Sequence, residues 1–425
     1  MLTGAVHAQT PVRSEPQPIA AAAPIAAPRD VSYPGVITVD VDATDLERRV
    51  FRVRQRIPVA AAGPSVLLYS RWIPGHHGPS GALHDYAGLT ITANGKRLAW
   101  QRDPADVFVF HVDVPAGVTA LDLEAQYLSP TDDSQGAVAM TREILRLNWY
   151  YTMLYPAGHF MRRIQVDASV KLPVGWSFGS ALEVASQAGG VVKFKRVSVE
   201  TLVDSPLIAG KHFSKIDLDP KGRSRVTLNL AADEPQYLAA KPEIIDLHRA
   251  LVREADALYG ARHFDHYDFL LTLSDRIAGS GLEHARSSDN GTKPKYFTTW
   301  DKSHIARDLL GHEYNHSWCG KYRRPADLWT PNLNVPMRDS LLWVYEGQTQ
   351  YYGTVLSNRA GFYKREAALD HYALFAGSYE ERRGRRWRPL QDTTNDPIIT
   401  SRRPIPWMSW QRSEDYYVEG AFIWL

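Results

Sequence analysis

Residues 304–320 read HIARDLLGHEYNHSWCG, and their reading decides what the second half of the chain is. The run carries helical periodicity, with Ser303 as its expected N-cap. Inside it, His312-Glu313-Tyr314-Asn315-His316 is an H-E-x-x-H. On a helix, residues four apart lie on one face, one turn apart. Two imidazoles so placed can bind one Zn²⁺ at ~2.0–2.1 Å each. Glu313 sits beside them, where a carboxylate can act as general base on water at the metal. With 15 His and 17 Glu in 425 residues, chance supplies roughly 0.02 such patterns per chain. The pattern is therefore read as chemistry.

A catalytic zinc takes three protein ligands and leaves one position open. Glu346 is the candidate third ligand. It lies in the next helical run, DSLLWVYEGQTQYYGTVLSNRAG (339–361), where Asp339 or Ser340 is the expected N-cap and Gly361 the C-cap. Its aromatic surroundings make an unpaired carboxylate costly to bury. Cys319, the single cysteine, is the rival ligand. A thiolate is less usual in hydrolytic zinc sites, so Cys319 reads as a buried thiol.

Upstream the pattern is different. VITVDVDA (36–43), LTITANGKRLAW (89–100), DVFVFHVDVPAG (106–117) and RVTLNLAAD (225–233) read as strands, and Asn94-Gly95 as a hairpin turn. Many short strands between turns predict a β-sandwich-like domain over 35–238. At Pro242 the period switches to that of a helix, which Gly260 should end. YDFLLTLSD (267–275) reads as a buried strand. The fold class expected is α+β multidomain, with an α-rich second domain over 239–425. Residues 1–34 read as a flexible leader. Its Val6-His7-Ala8 resembles the end of a signal peptide and predicts a periplasmic or secreted protein. The apolar run FIWL at 422–425 suggests a fragment of a longer protein.

Composition narrows the class further. Lysine plus arginine number 49 against 47 acidic residues, a net charge of +2. That balance gives no reason to expect nucleic acid as partner. No stretch approaches the ~18 unbroken apolar residues of a membrane span.

GHEYNHSW, LLWVYEGQTQYY and GSGLEHARSS (279–288) together resemble the glycyl aminopeptidase family of zinc metallopeptidases, which belongs with the gluzincins. RWIPGHHGP (71–79), TLVDSPLIAG (201–210) and RRPADLWTPNLN (323–334) continue the resemblance, which covers about residues 35–425. It implies a thermolysin-like catalytic domain behind the β domain, one Zn²⁺ per chain on His312, His316 and Glu346, and peptide substrates with a free N-terminus. Gly281-Leu282-Glu283-His284 resembles an edge-strand motif whose glutamate binds the substrate α-amine. By position Glu283 is that anchor, Gly281 lets the substrate backbone approach, and the role of His284 is open. Tyr416-Tyr417-Val418-Glu419-Gly420 resembles the segment whose tyrosine stabilises the oxyanion. Tyr417 is the matching position and Tyr416 its rival; Glu419 stands where the family motif has lysine. A preference for N-terminal glycine and alanine is implied by resemblance alone.

Other features read as structure. His76-His77 are adjacent and make a poor metal pair, so they read as loop residues. HFDHYD (263–268) reads as a turn rather than a second metal cluster, EERRGRRWRP (380–389) as a surface loop, and Asn290-Gly291 as a turn. Two rival functions stand beside the aminopeptidase: a zinc endopeptidase, and a catalytically inactive peptide- or protein-binding module.

Overall fold

The structure is a computed structural model describing residues 24–425 apart from 223, 278, 280, 303–306 and 402. Residues 1–23, with the Val6–Ala8 pattern, and the expected N-cap Ser303 lie outside the described residues.

The first half is a layered β structure. Among the described residues its largest sheet has nine strands. At its centre Val36–Asp45 pairs antiparallel with Val50–Pro58 and parallel with Gln165–Lys171. The alternation in sequence is the alternation in burial: Ile37, Val39, Val41 and Ala43 face inward, and the residues between them are more exposed. Asn94 and Gly95 both take positive φ, 49° and 75°, in the turn between Tyr86–Ala93 and Lys96–Leu98. A four-stranded and a three-stranded sheet complete this half. Phe51, Tyr69, Trp149 and Tyr155 are fully buried in its core. Burial of a side chain such as Phe51 is worth about 1.5–3 kcal/mol.

The second half is built on a five-stranded sheet covered by helices. Its strand order is His212–Asp217, Arg225–Ala232, His266–Leu273, Ser287–Thr292, Gly281–Glu283. Two of these strands precede residue 239, where the sequence reading starts the second domain. One face of the second packs in this half, Val226, Leu228 and Leu230 against Tyr267, Phe269 and Tyr314, while its Ala231 packs with Val138, Ile144 and Ile208 of the first half. The change of period at Pro242 marks the start of a helix. That helix runs Pro242–Tyr259, with Pro242 in its first turn and Gly260 left-handed at its end. Asn290-Gly291 is not a turn. It lies inside Ser287–Thr292, where Asn290 Nδ2 donates to Leu270 O and Ser288 O.

The helical runs are shorter than the sequence periodicity predicts. Among the described residues, the first gives a helix over Leu309–His316. The second gives Leu342–Tyr345 and Gly347–Arg359, parted at Glu346, with no side-chain cap from Asp339 or Ser340. Gly361 follows the second helix with φ 86°. No described helix is long and apolar enough to cross a membrane.

Candidate metal and peptide site

Close helix packing gathers the site. A Cβ on Gly353 would lie 2.8 Å from His312 Cα, and one on Gly347 would lie 2.8 Å from Gly420 Cα. The absence of side chains therefore lets Gly347–Arg359 press on the H-E-x-x-H helix on one side and on Val418–Trp424 on the other. Asn315 Nδ2 donates to Thr349 Oγ1 at 3.0 Å across the first contact.

The three expected ligands converge. His312 Nε2 and His316 Nε2 are 3.0 Å apart. They lie 3.2 and 3.1 Å from Glu346 Oε2. Bonds of ~2.0–2.1 Å to one tetrahedral ion put ligand atoms ~3.3 Å apart, close to this triangle. His316 Nδ1 lies 3.0 Å from Cys319 O, so it is the donor there and Nε2 is left for a metal. Cys319 Sγ is turned to Gln348 Oε1 at 3.0 Å, and burial pushes its thiol up to about 11. It is outside the ligand triangle.

Charge also fits a cation. Glu283, Glu313 and Glu346 are each 5% exposed or less. Ligand atoms of Glu283, Glu313 and His316 all lie within 4.8 Å of one another. Three buried carboxylates at this spacing need positive charge to offset desolvation and repulsion. Burial pushes Glu313 up to about 7, and its Oε2 is buried with no hydrogen-bond partner among the described residues. Such an atom is free to take a proton. Burial also opposes ionisation of Glu283, but His316 and Lys321 outweigh it and hold that carboxyl near 2.

The cavity around these groups is about 190 Å³, lined by Gly75, His76, Gly281, Glu283, His312, Glu313, His316, Glu346 and Tyr417. Gly281–Glu283 is an edge strand, as its motif implies. A side chain on Gly281 would collide with Glu313 Oε1. Tyr417 faces the cavity with its ring 6.2 Å from that of His312. Tyr416 is fully buried with Leu328, Leu342 and Tyr345. His284 turns away from the metal ligands: its Nδ1 lies 3.2 Å from Asp204 Oδ1.

The first half of the chain supplies residues that the sequence reading passed over. His77, read as a loop residue, places Nε2 2.5 Å from Glu346 Oε1 and is 1% exposed. Gly75 abuts Glu283, so that a Cβ there would come 2.6 Å from Oε2. Asp204 accepts from Lys321 Nζ at 2.9 Å and from Ala285 N at 2.9 Å. From the second half, Tyr345 Oη donates to Glu283 Oε1. For His77 and Gly75 the available signal was IPGHHG itself, two histidines between glycines in a stretch that shares the family resemblance.

Two weaker readings resolve differently. His263 meets Ser317 Oγ at 2.9 Å and His266 meets Ala181 O at 3.0 Å, so HFDHYD holds no metal cluster among the described residues. The basic run is not simply a surface loop. Arg388 is 6% exposed and pairs with Asp396 at 2.6 Å; Arg382 pairs with Asp415, and Arg412 with Asp415 and Glu419. Opposite charges supplied from 392–419 let the arginines go inside, and the resulting network flanks Tyr417.

Comparisons with known proteins bear on the family and the fold. Residues 306–423 match the M61 glycyl aminopeptidase family, and residues 38–211 match the Peptidase M61 N-terminal domain. No curated protein sequence matches the chain. An aminopeptidase N family protein from Idiomarina loihiensis has a similar fold, with TM-score 0.75 and 19% identity over 91% of this chain and 65% of that one. Yeast LTA4 hydrolase in complex with bestatin is more distant: TM-score 0.51 and 15% identity over 93% and 58%. The chain thus spans about two thirds of the Idiomarina protein's length, at 65%. With its H-E-x-x-H helix inside one matched region and most of its β-rich first half inside the other, the chain belongs to the M61 glycyl aminopeptidase family.

Proposed function

We propose that the chain is a zinc-dependent aminopeptidase that removes small N-terminal residues, glycine and alanine, from peptides. The observation that carries this reading is the buried Glu283 carboxylate, with Gly75 packed against it, standing in the same small cavity as the ligand triangle. An exopeptidase must measure one residue from the scissile bond. A carboxylate that pairs with the α-ammonium does so. The preference for a small first residue rests on the family match.

His312, His316 and Glu346 would hold the zinc. Bound there, it would supply Lewis-acid activation of water and of the substrate carbonyl. Glu283 binds the α-ammonium and sets the register. Glu313 takes the proton of the attacking water as the water oxygen bonds to the carbonyl carbon. It then delivers that proton to the leaving nitrogen as the C–N bond breaks. Tyr417 donates to the oxyanion. Peptides with a free N-terminus are the partners in this reading. Export rests on the Val6–Ala8 pattern alone and belongs to the same proposal.

The rival endopeptidase needs room for chain beyond the α-amine, where Gly75 and Glu283 meet. Hydrolysis of a glycyl chromogenic amide and its N-acetyl counterpart, with and without a zinc chelator, separates the two. Chelator-sensitive cleavage of the free amine alone is expected. Equal cleavage of both compounds would retire the aminopeptidase in favour of the endopeptidase. No cleavage of either by folded, zinc-loaded protein would favour the binding module.

A further inference from the structure

Glu346 has two carboxylate oxygens, and the structure uses them differently. Oε2 closes the triangle with His312 and His316. Oε1 faces away from them and meets His77 Nε2 at 2.5 Å. Both partners are buried, at 2% and 1% exposure. An ionised carboxylate only accepts hydrogen bonds, so His77 is the donor and carries its proton on Nε2.

The turn that presents His77 is held in an uncommon conformation. His77 itself has φ 53°, in the left-handed region, and Gly75 before it has φ 83°. His76 N donates to Ile73 O at 3.1 Å, and Arg71 N and Trp72 N both donate to Leu333 O at 3.0 and 2.7 Å. A Cβ on Gly78 would come 2.8 Å from Pro397 O, so the turn is wedged between Glu283 on one side and Pro397 on the other. The His77 ring stands edge-on to Tyr345 at 5.2 Å, next to Glu346 in sequence. Strained backbone persists where the surroundings over-determine it, and such positions cluster at working sites.

We propose that His77, from the β-rich first half, is a positioning residue of the metal site, donating to Glu346 Oε1 and so presenting Oε2 alone to the ion. The site is then complete only with both halves of the chain. This deepens the zinc reading and rests on it. Partners that orient a ligand in this way typically set 10–100-fold in metal affinity.

Two replacements in the full chain separate the hydrogen bond from packing. His77→Phe keeps an aromatic ring against Tyr345 and removes the donor. His77→Gln keeps a donor at similar reach. Zinc affinity is measured by competition with a chromophoric chelator, and the metal-free thermal unfolding of each variant shows that it is folded. Expected is about 10–100-fold weaker zinc binding in H77F and a loss of about threefold or less in H77Q. Wild-type affinity in both folded variants would overturn the proposal. So would equal weakening in both, which assigns the effect to ring packing. If either variant fails to fold, Co²⁺ spectra of the other against wild type decide: an unchanged H77F spectrum or a changed H77Q spectrum contradicts the role. A wild-type chain that binds no zinc would overturn both this role and the zinc reading. Binding without peptide cleavage would leave His77 supported and sink only the proposed activity.

Discussion

Two segments meet at Glu346 from opposite directions. The helix Leu309–His316 brings two imidazoles, 30 and 34 residues upstream of it, placed by simple helical spacing. The turn at Ile73–Gly78 brings one imidazole across 269 residues, placed by positive φ and by packing between the two halves. The first arrangement is local and survives in a sequence as a pattern. The second is made only by the fold. The lesson is that donors to a metal can be read from a motif, whereas the groups that aim them are set by topology.

The largest effect belongs to the local side. Glu313→Gln should lower kcat by about 10²–10⁴-fold while zinc stays bound, because the three ligands are untouched. Steady-state kinetics on zinc-loaded protein check this, and wild-type turnover would remove Glu313 from the chemistry. Tyr417→Phe should follow, at about 10²–10³-fold in kcat. Tyr416→Phe, in the apolar cluster behind it, should cost less than about tenfold. The reverse order would hand the oxyanion role to Tyr416.

The distant side gives the next effect. Gly75→Ala would put a methyl group into Leu282 and 2.6 Å from Glu283 Oε2 at a φ of 83°. A displacement of the anchor by ~1 Å should cost about 10²-fold in kcat/KM. An unaffected kcat/KM on free-amine substrates would show that the turn does not bear on the amine end of the site.

The smallest effect concerns stability. Asp204 holds Lys321, whose side chain is 1% exposed, while its own is 25% exposed. Asp204→Ala should destabilise by on the order of 2–3 kcal/mol, less than a fully buried pair because Asp204 is partly solvated. Burial opposes ionisation of Asp204, but Lys321 and His284 outweigh it and hold the carboxyl well below its usual 3.8. A carboxyl depressed in the folded state contributes stability above about pH 4 and loses it as pH falls further. Thermal unfolding as a function of pH should therefore show a shallower acid limb in the alanine variant. An identical limb would place the acid sensitivity elsewhere.

Legibility in the sequence follows the same division. His312, Glu313 and His316 were readable because one helix carries them. Glu346 was readable because a carboxylate among aromatic residues needs a partner. The β-rich first half was readable wherever one strand face is solvated, as in Val36–Asp45. His77 was not, since adjacent histidines in a glycine-flanked turn carry no period. Arg388 was missed because its partners Asp392 and Asp396 sit in a segment with no strong pattern. Asn290-Gly291 misled because a turn dipeptide was absorbed into a buried strand whose neighbours satisfy the asparagine. The split of the second helical run at Glu346 was invisible too. Tertiary contacts, not propensity, set the ends of helices only a few residues long.

The most direct measurement is a zinc-edge anomalous difference map from crystals of the zinc-loaded chain. The expected result is one peak within bonding distance of His312 Nε2, His316 Nε2 and Glu346 Oε2, with His77 still on Glu346 Oε1. A peak ligated by Cys319 or by His77, or none between the two histidines, would contradict it.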